Sequence, residues 1–362
     1  MTINVTKSVL PSLQDYSKLL EQIWDSNQIA NNGPLVRQLQ RELIAHLGIA
    51  QLELVANGTL ALQLAIRALN LKGEIITTPF SYVATANAIA WEGCIPVFAD
   101  IDQTDLCLDP DLVEAAINER TVAILATHVY GYPCAVERFA RLAEKYSIPL
   151  IYDAAHAFDV KIGGQSLLSF GDAAALSFHA TKLFHTAEGG AVVCRDAALT
   201  QRVSLMKKFG HIGEENYFDI GVNAKLSELH AAIGLALLPQ IPDLIKQRQA
   251  RTEWYDDLIA DLPLRRPFPT IEFDYNYAYY PVIFASHAAM MRARAALLQN
   301  DIVPRRYFHP SLNTLPHLQI EGYRACPISE SIAARLLCLP LYHDLAHSDV
   351  RRVVGIIQEA MR

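Results

Sequence analysis

The chain has 362 residues, 51% hydrophobic and 19% charged, which supports a large core and excludes a disordered polymer. Its 31 Lys and Arg against 38 Asp and Glu leave a net charge of −7, which argues against a nucleic-acid binder with its basic stripe. The longest apolar stretch, around Ala231–Pro239, falls short of the ~18–20 residues that cross a bilayer, so no membrane partner is expected.

Met1–Leu10 lacks the apolar run of a secretory signal, and a cytoplasmic protein is expected. Leu52–Ala56 reads as a strand and Thr59–Leu69 as a helix. Strand Glu74–Thr77, helix Val83–Glu92, strand Ile95–Asp100 and helix Asp109–Asn118 follow. Then come strand Val122–Val129, helix Ala135–Tyr146 and strand Pro149–Asp153. This alternation predicts an α/β fold with a mainly parallel sheet covered by helices. Ala173–Phe178 and Gly190–Cys194 are two further strands.

Helices are predicted over Ser227–Leu238 and from Asp243 towards Ile259, before the Pro-rich break Leu262–Pro269. Strand Tyr277–Phe284 and helices Ala288–Gln299, Ala333–Leu339 and Ser348–Met361 complete the chain. The expected division is a large domain over 1–245 and a smaller C-terminal α/β domain over 246–362, with the N-terminal segment in either. The six cysteines, at 94, 107, 134, 194, 326 and 338, form no C-x-x-C pair and read as isolated thiols.

Three segments carry candidate chemistry. Asn57-Gly58-Thr59 joins a strand to a helix. Free N–H groups and a hydroxyl at a helix start make a phosphate cradle. The same segment also reads as an ordinary turn with Thr59 as N-cap. Asp153 ends an apolar strand, where α/β folds place ligand-contacting groups. It could hold a cationic ring nitrogen, or simply cap a loop. Lys182, in Ser177-Phe178-His179-Ala180-Thr181-Lys182, sits on a short connection between two apolar strands. Burial there lowers an amine's pKa and makes it nucleophilic, whereas a surface lysine has no such role.

Together the three supply what pyridoxal phosphate needs: a phosphate cradle, a carboxylate for the ring nitrogen and a reactive amine. No G-x-G-x-x-G follows the first of these strands and no G-x-x-x-x-G-K-[ST] occurs, so dinucleotide and P-loop chemistry lose support. His179 and His185 lack metal-ligand spacing, and no metal is expected.

The sequence resembles the DegT/DnrJ/EryC/StrS sugar aminotransferases, a branch of the fold-type-I pyridoxal-phosphate enzymes. The resemblance runs from Asn31-Asn32-Gly33-Pro34 to the C-terminal region. It rests on Asn57–Leu62, Thr78–Thr85, Asp153–His156, Ser177–Lys182 and Glu188-Gly189-Gly190. It implies pyridoxal 5′-phosphate as cofactor and Lys182 as the Schiff-base lysine, with Asp153 at the pyridine nitrogen. It further implies Tyr82 stacked on the ring, His156 near the phenolic oxygen, and Gly58, Thr59 and Ser177 on the phosphate. Asn223 matches an asparagine that reaches a neighbouring subunit's phosphate, which implies a homodimer with shared sites.

Lys182 favours transamination over the dehydratases of the superfamily, which carry histidine there. Ser177–Thr186 and Arg305–Pro310 look most like enzymes that aminate dTDP-4-keto-6-deoxyglucose at C4 with L-glutamate as donor. The alternatives are amination at C3 of a dTDP-3-keto-6-deoxyhexose and a non-catalytic regulator on the same fold. Arg305 and Arg306 are candidate contacts for the donor's carboxylate or the sugar nucleotide's diphosphate. Asp159 and Ala224 stand where glycine is common, which bears on local turns.

Overall fold

The computed structural model describes residues 2–362. Seven strands form the main sheet: β1 Glu53–Val55, β2 Glu74–Thr77, β3 Ile95–Phe98, β4 Thr121–Thr127, β5 Leu150–Asp153, β6 Ala173–Ser177 and β7 Gly190–Cys194. Their order is β1-β7-β6-β5-β4-β2-β3. β7 runs antiparallel to both β1 and β6, and the remaining pairs are parallel.

The pleat sends alternate residues to opposite faces, and both faces are buried. In β4, Ile124 and Ala126 join one core while Ala123 and Leu125 join the other. In β5, Leu150 and Tyr152 oppose Ile151 in the same way. This two-sided burial explains why these strands read as continuous apolar runs.

The helix Gly58–Ala68 packs on β6, β7 and the helices Ala84–Trp91 and Ala197–Met206. It is therefore apolar on more than one face, with Ala61, Leu62, Leu64, Ala65 and Ile66 all buried. Its N-cap is Asn57, whose side chain accepts from Leu60 N, and not Thr59. An asparagine one residue before the first turn has the oxygen at the reach an N-cap requires.

A second sheet of three antiparallel strands, Leu264–Arg265, Tyr280–Phe284 and Leu336–Leu339, lies later in the chain. Its core includes Val282, Leu297, Leu339, Val353 and also Ile3, whose strand Ile3–Asn4 pairs with Ile302–Val303. Helix Ile241–Ile259 joins the two cores, since Ile241 and Leu244 enter the first and Tyr255 and Ile259 the second.

The helix expected over Ala333–Leu339 is corrected. The helix is Pro327–Arg335, and Leu336–Leu339 is a strand paired with Tyr280–Ile283. All four strand residues are buried. A short apolar run before Pro340 has no period that separates buried strand from buried helix, and strand pairing decided it. Helices Leu13–Ser26, Pro34–Leu47 and Ala197–Met206 add to the predicted set.

All six cysteines are buried and free. Among the described residues no helix is long and apolar enough to cross a membrane.

Candidate active site

The carboxyl ends of β1, β4, β5 and β6 share one edge of the sheet, where a cavity of about 300 Å3 opens. Asn57, Gly58 and Thr59 from the end of β1 line it, with Asp153 and His156 from the end of β5. Ser177 at the end of β6, Lys182 beyond it, and Tyr82 before helix Ala84–Trp91 complete the expected set. Seven of the eight predicted site residues thus meet in one cavity. Asn223 does not: it is exposed and lies outside the cavity of its own chain, with its Oδ1 taking the Lys225 ammonium at 2.5 Å.

At the cradle, Asn57 satisfies the amides of Leu60 and Ala61 through its side-chain and backbone oxygens. The amides of Gly58 and Thr59 have no acceptor among the described residues, as expected of a helix's first turn. Ser177 ends β6 directly beside them. A Cβ on Gly58 would lie 2.7 Å from Ser177 Cβ, so only glycine lets the helix start approach this strand.

Asp153 is buried and fully engaged on its protein side. Oδ1 accepts from Ala155 N at 3.1 Å and Oδ2 from Thr85 Oγ1 at 2.7 Å. Behind Thr85 stands Ser81 at 2.7 Å, which accepts in turn from Thr127 Oγ1 at 3.3 Å. With Thr85 donating to the carboxylate, this hydroxyl chain is ordered from Thr127 to Asp153, and it fixes the carboxylate's orientation.

Backbone bonds brace the lysine loop: Phe178 N to Gly189 O, Ala180 N to Ala187 O and Lys182 N to His179 O, at 2.7–2.9 Å. Burial of the Lys182 amine lowers its pKa to about 8, against the opposing pull of Asp153 and Tyr82. His156 Nδ1 accepts from Tyr130 N at 3.1 Å, which puts the proton of the neutral ring on Nε2. Burial, and secondarily the Lys182 charge, hold the His156 pKa well below its ordinary value. Tyr82 is 61% exposed at the mouth.

Arg305 and Arg306 do not line this cavity. Arg306 instead donates to the carbonyls of Ala333 and Ala334 at 3.3 Å, near the end of helix Pro327–Arg335. Their neighbours Tyr307 and Phe308 do line it, as does Tyr279, whose hydroxyl is 3.4 Å from Lys182 Nζ. Sequence reasoning missed these three and the hydroxyls of Ser81 and Thr85. Ser81 and Thr85 flank Tyr82 in Thr78–Thr85, so their spacing was a usable signal. Tyr279 lies in a tyrosine-rich stretch that reads as strand.

Asp159 takes φ 60, the left-handed conformation in which glycine is at ease, and its carboxylate faces His46 at 3.3 Å. Ala224 has no positive φ, and its amide and carbonyl bond Lys207 O and Ala56 N, so alanine fits that turn. Among the described residues no group of three His, Cys, Asp or Glu side chains is placed to hold a metal.

A doubly covered α/β sheet with a half-buried lysine and a buried aspartate lining a cavity at its carboxyl edge defines an α/β protein with a ligand cleft at the strand ends. The chain belongs to the DegT/DnrJ/EryC1/StrS aminotransferase family, whose profile matches residues 13–358. It is an aminotransferase. It is 38% identical to the dTDP-4-amino-4,6-dideoxy-D-glucose transaminase of Shigella dysenteriae, over 99% of this chain and 98% of the relative. It is 37% identical to the enzyme of the same name from Escherichia coli, over 98% of each. The crystal structure of DesI in the presence of its TDP-sugar product superposes with a TM-score of 0.93 at 32% identity, covering 100% of this chain and 93% of that one.

Proposed function

We propose that the chain moves an amino group from L-glutamate to dTDP-4-keto-6-deoxyglucose, giving dTDP-4-amino-4,6-dideoxyglucose, with pyridoxal 5′-phosphate as cofactor. One observation carries the reading. The uncommitted amides of Gly58 and Thr59, the Asp153 carboxylate and the Lys182 amine all face one cavity. The names of the two curated relatives support this sugar and amination at C4 rather than C3.

The residues fit the cofactor. The Gly58 and Thr59 amides, the Thr59 and Ser177 hydroxyls and the positive end of helix Gly58–Ala68 match a phosphate dianion. Asp153 matches a protonated pyridine nitrogen, and the ring of Tyr82 can cover the cofactor's face. The cofactor supplies a carbonyl that an amine can enter and a ring that withdraws electrons from the adjacent carbon.

The chain's own residues do the rest. Asp153 holds the ring-nitrogen proton, because a carboxylate favours the charged form of its partner. The hydroxyl chain behind it keeps the acceptor oxygen aimed. His156, neutral and with its proton on Nε2, would offer an N–H donor to the phenolic oxygen and add no charge there. At pH 7 a lysine of pKa about 8 is roughly one-tenth neutral, against under a thousandth at its ordinary value. Lys182 can therefore attack a carbonyl, and once displaced it carries a proton on Nζ to and from the substrate carbon as general acid–base. The lysine loop is braced by backbone bonds, so Nζ moves while its Cα stays fixed.

Three further assignments belong to this reading. The protein works as a homodimer in which Asn223 completes the partner's phosphate site. Its exposure supports that, as do the exposed Phe209, Tyr217, Ile220 and Val222 around it. The boundary between domains 1–245 and 246–362 is supported by the split loyalties of helix Ile241–Ile259. Six free, buried thiols suit a reducing cytoplasm.

The test is incubation of the loaded protein with L-glutamate and a panel of dTDP- and UDP-keto sugars, with the product read by NMR. An amine at C4 of the dTDP-linked glucose-configured sugar is expected. Amination at C3, or none with any member, would overturn the substrate assignment.

A further inference from the structure

We infer that Tyr279 is a further catalytic residue of this enzyme, its phenolic hydroxyl holding Lys182 Nζ whenever that amine is free. The inference rests on Lys182 being the reactive amine, as proposed above.

The hydroxyl's only hydrogen-bond partner among the described residues is Lys182 Nζ, at 3.4 Å. The ring itself is packed by aromatics. It meets His156 edge-on at 4.9 Å and Tyr307 edge-on at 5.9 Å, and Tyr130 lies tilted at 5.5 Å. A phenylalanine would fill the same slot. A phenol in such surroundings costs stability unless its hydroxyl is met, so packing does not account for the oxygen and Lys182 does.

The position is also built. Arg248, buried in helix Ile241–Ile259, donates Nε to Tyr277 O at 2.8 Å and Nη2 to Ala278 O at 2.7 Å. Tyr275 OH lies 3.4 Å from Tyr279 O and 3.1 Å from Tyr130 O. The two Arg248 bonds and the Tyr275 hydroxyl, whose one proton is shared between the Tyr130 and Tyr279 carbonyls, thus fix the backbone around Tyr279 and join it to Tyr130, the residue that sets the His156 tautomer.

Chemically, the phenol serves both states of the amine. The ammonium donates an N–H to the phenolic oxygen. After the ammonium has passed its proton to the substrate carbon, the phenol turns its O–H onto the Nζ lone pair. No proton leaves Tyr279 in either arrangement, in keeping with burial raising its pKa. The other groups facing Lys182 are Asp153, Tyr82, His156, and the His179–Glu188 pair of its own loop. Of these, none forms a hydrogen bond to Nζ among the described residues.

The experiment compares wild type with Tyr279→Phe in two ways. In the cofactor-free protein, competitive acylation with peptide mapping gives the pKa of Lys182. Wild type should titrate near 8, and the variant about half a pH unit or more lower, because the charge-assisted bond that the ammonium donates to the phenol is stronger than the one the neutral amine accepts from it. In the loaded protein, single-turnover reaction with L-glutamate should slow about tenfold or more with cofactor content unchanged. An unchanged Lys182 titration overturns the inference, as does an unchanged rate in a wild type that reacts. If wild type fails to react with glutamate while the titration still shifts, the donor assignment falls and the Tyr279–Lys182 contact stands. Equal melting temperatures of the two proteins show that the ring still packs.

Discussion

Replacing Lys182 with methionine should shift stability in favour of the variant as pH falls from 10 to 7 in the cofactor-free protein, although it destroys the enzyme. The reason is the burial of a charge. In the folded chain the lysine has a pKa of about 8, against 10.5 for the exposed side chain. Between those values the unfolded chain holds a proton that the folded one lacks, so folding stability rises with pH across that window. Below pH 8 both states are protonated and the cost of the buried ammonium is fully present. Above 10.5 both are neutral and the cost is gone. At ~1.4 kcal/mol per pH unit the gap amounts to at most about 3.5 kcal/mol. Lys182 is only partly buried, so solvent in the cavity trims this to roughly 1–3 kcal/mol. Methionine has nearly the same length and no charge, and it leaves the Tyr279 hydroxyl without its partner, a cost present at every pH. Urea unfolding of the two cofactor-free proteins at pH 7, 8.5 and 10 separates that constant cost from the pH-dependent one. Relative to wild type the variant should gain roughly 1–3 kcal/mol between pH 10 and pH 7. A difference flat across the range would refute the argument that this amine is held in a desolvated place.

Thr85→Val removes the hydroxyl that donates to Asp153 Oδ2 at 2.7 Å while keeping the side chain's shape. A lost hydrogen bond to a charged group is worth about 1.5–3 kcal/mol, so turnover should fall roughly 10- to 100-fold with the cofactor still bound; unchanged turnover would remove the relay from the mechanism. Mixing Lys182→Ala with Asn223→Ala chains should give mixed dimers with one intact and one doubly damaged site. Activity should then recover to about half of wild type per confirmed mixed dimer, and no recovery would place Asn223 in its own chain's business alone.

The sheet was legible because its strands are short, apolar and separated by turns or helices of opposite periodicity. What the sequence hid was what packing decides. Leu336–Leu339 became a strand because the partner Tyr280–Ile283 was available to pair with it, a fact no local window contains. Helix Leu13–Ser26 does carry a local signal. Ser12 caps it, and Tyr16, Leu19, Leu20 and Ile23 recur at helical spacing. That face is only half-buried, with Ile23 alone fully covered, so the apolar stripe is thin against a polar background.

The site divides along a similar line. Gly58, Asp153, Ser177 and Lys182 sit at or just beyond strand ends, and strand ends in a parallel sheet converge by topology alone. Locating the strands therefore located these residues. Tyr279 reaches the cavity by another route. It comes from a segment more than a hundred residues after Asp153 and is held by a buried arginine on helix Ile241–Ile259. In sequence it is one of four tyrosines between 275 and 280, and nothing in their spacing distinguishes them. In the fold they separate cleanly. Tyr280 OH bonds Asp256 at 2.7 Å within the second core, Tyr275 OH braces backbone carbonyls, and Tyr279 OH alone meets the reactive amine. The partner of each hydroxyl, rather than the residue type, assigns its role. Three Tyr→Phe substitutions should accordingly have unlike consequences, with only the change at 279 removing the group that bonds Lys182 Nζ and the change at 280 leaving the titration of Lys182 as it is.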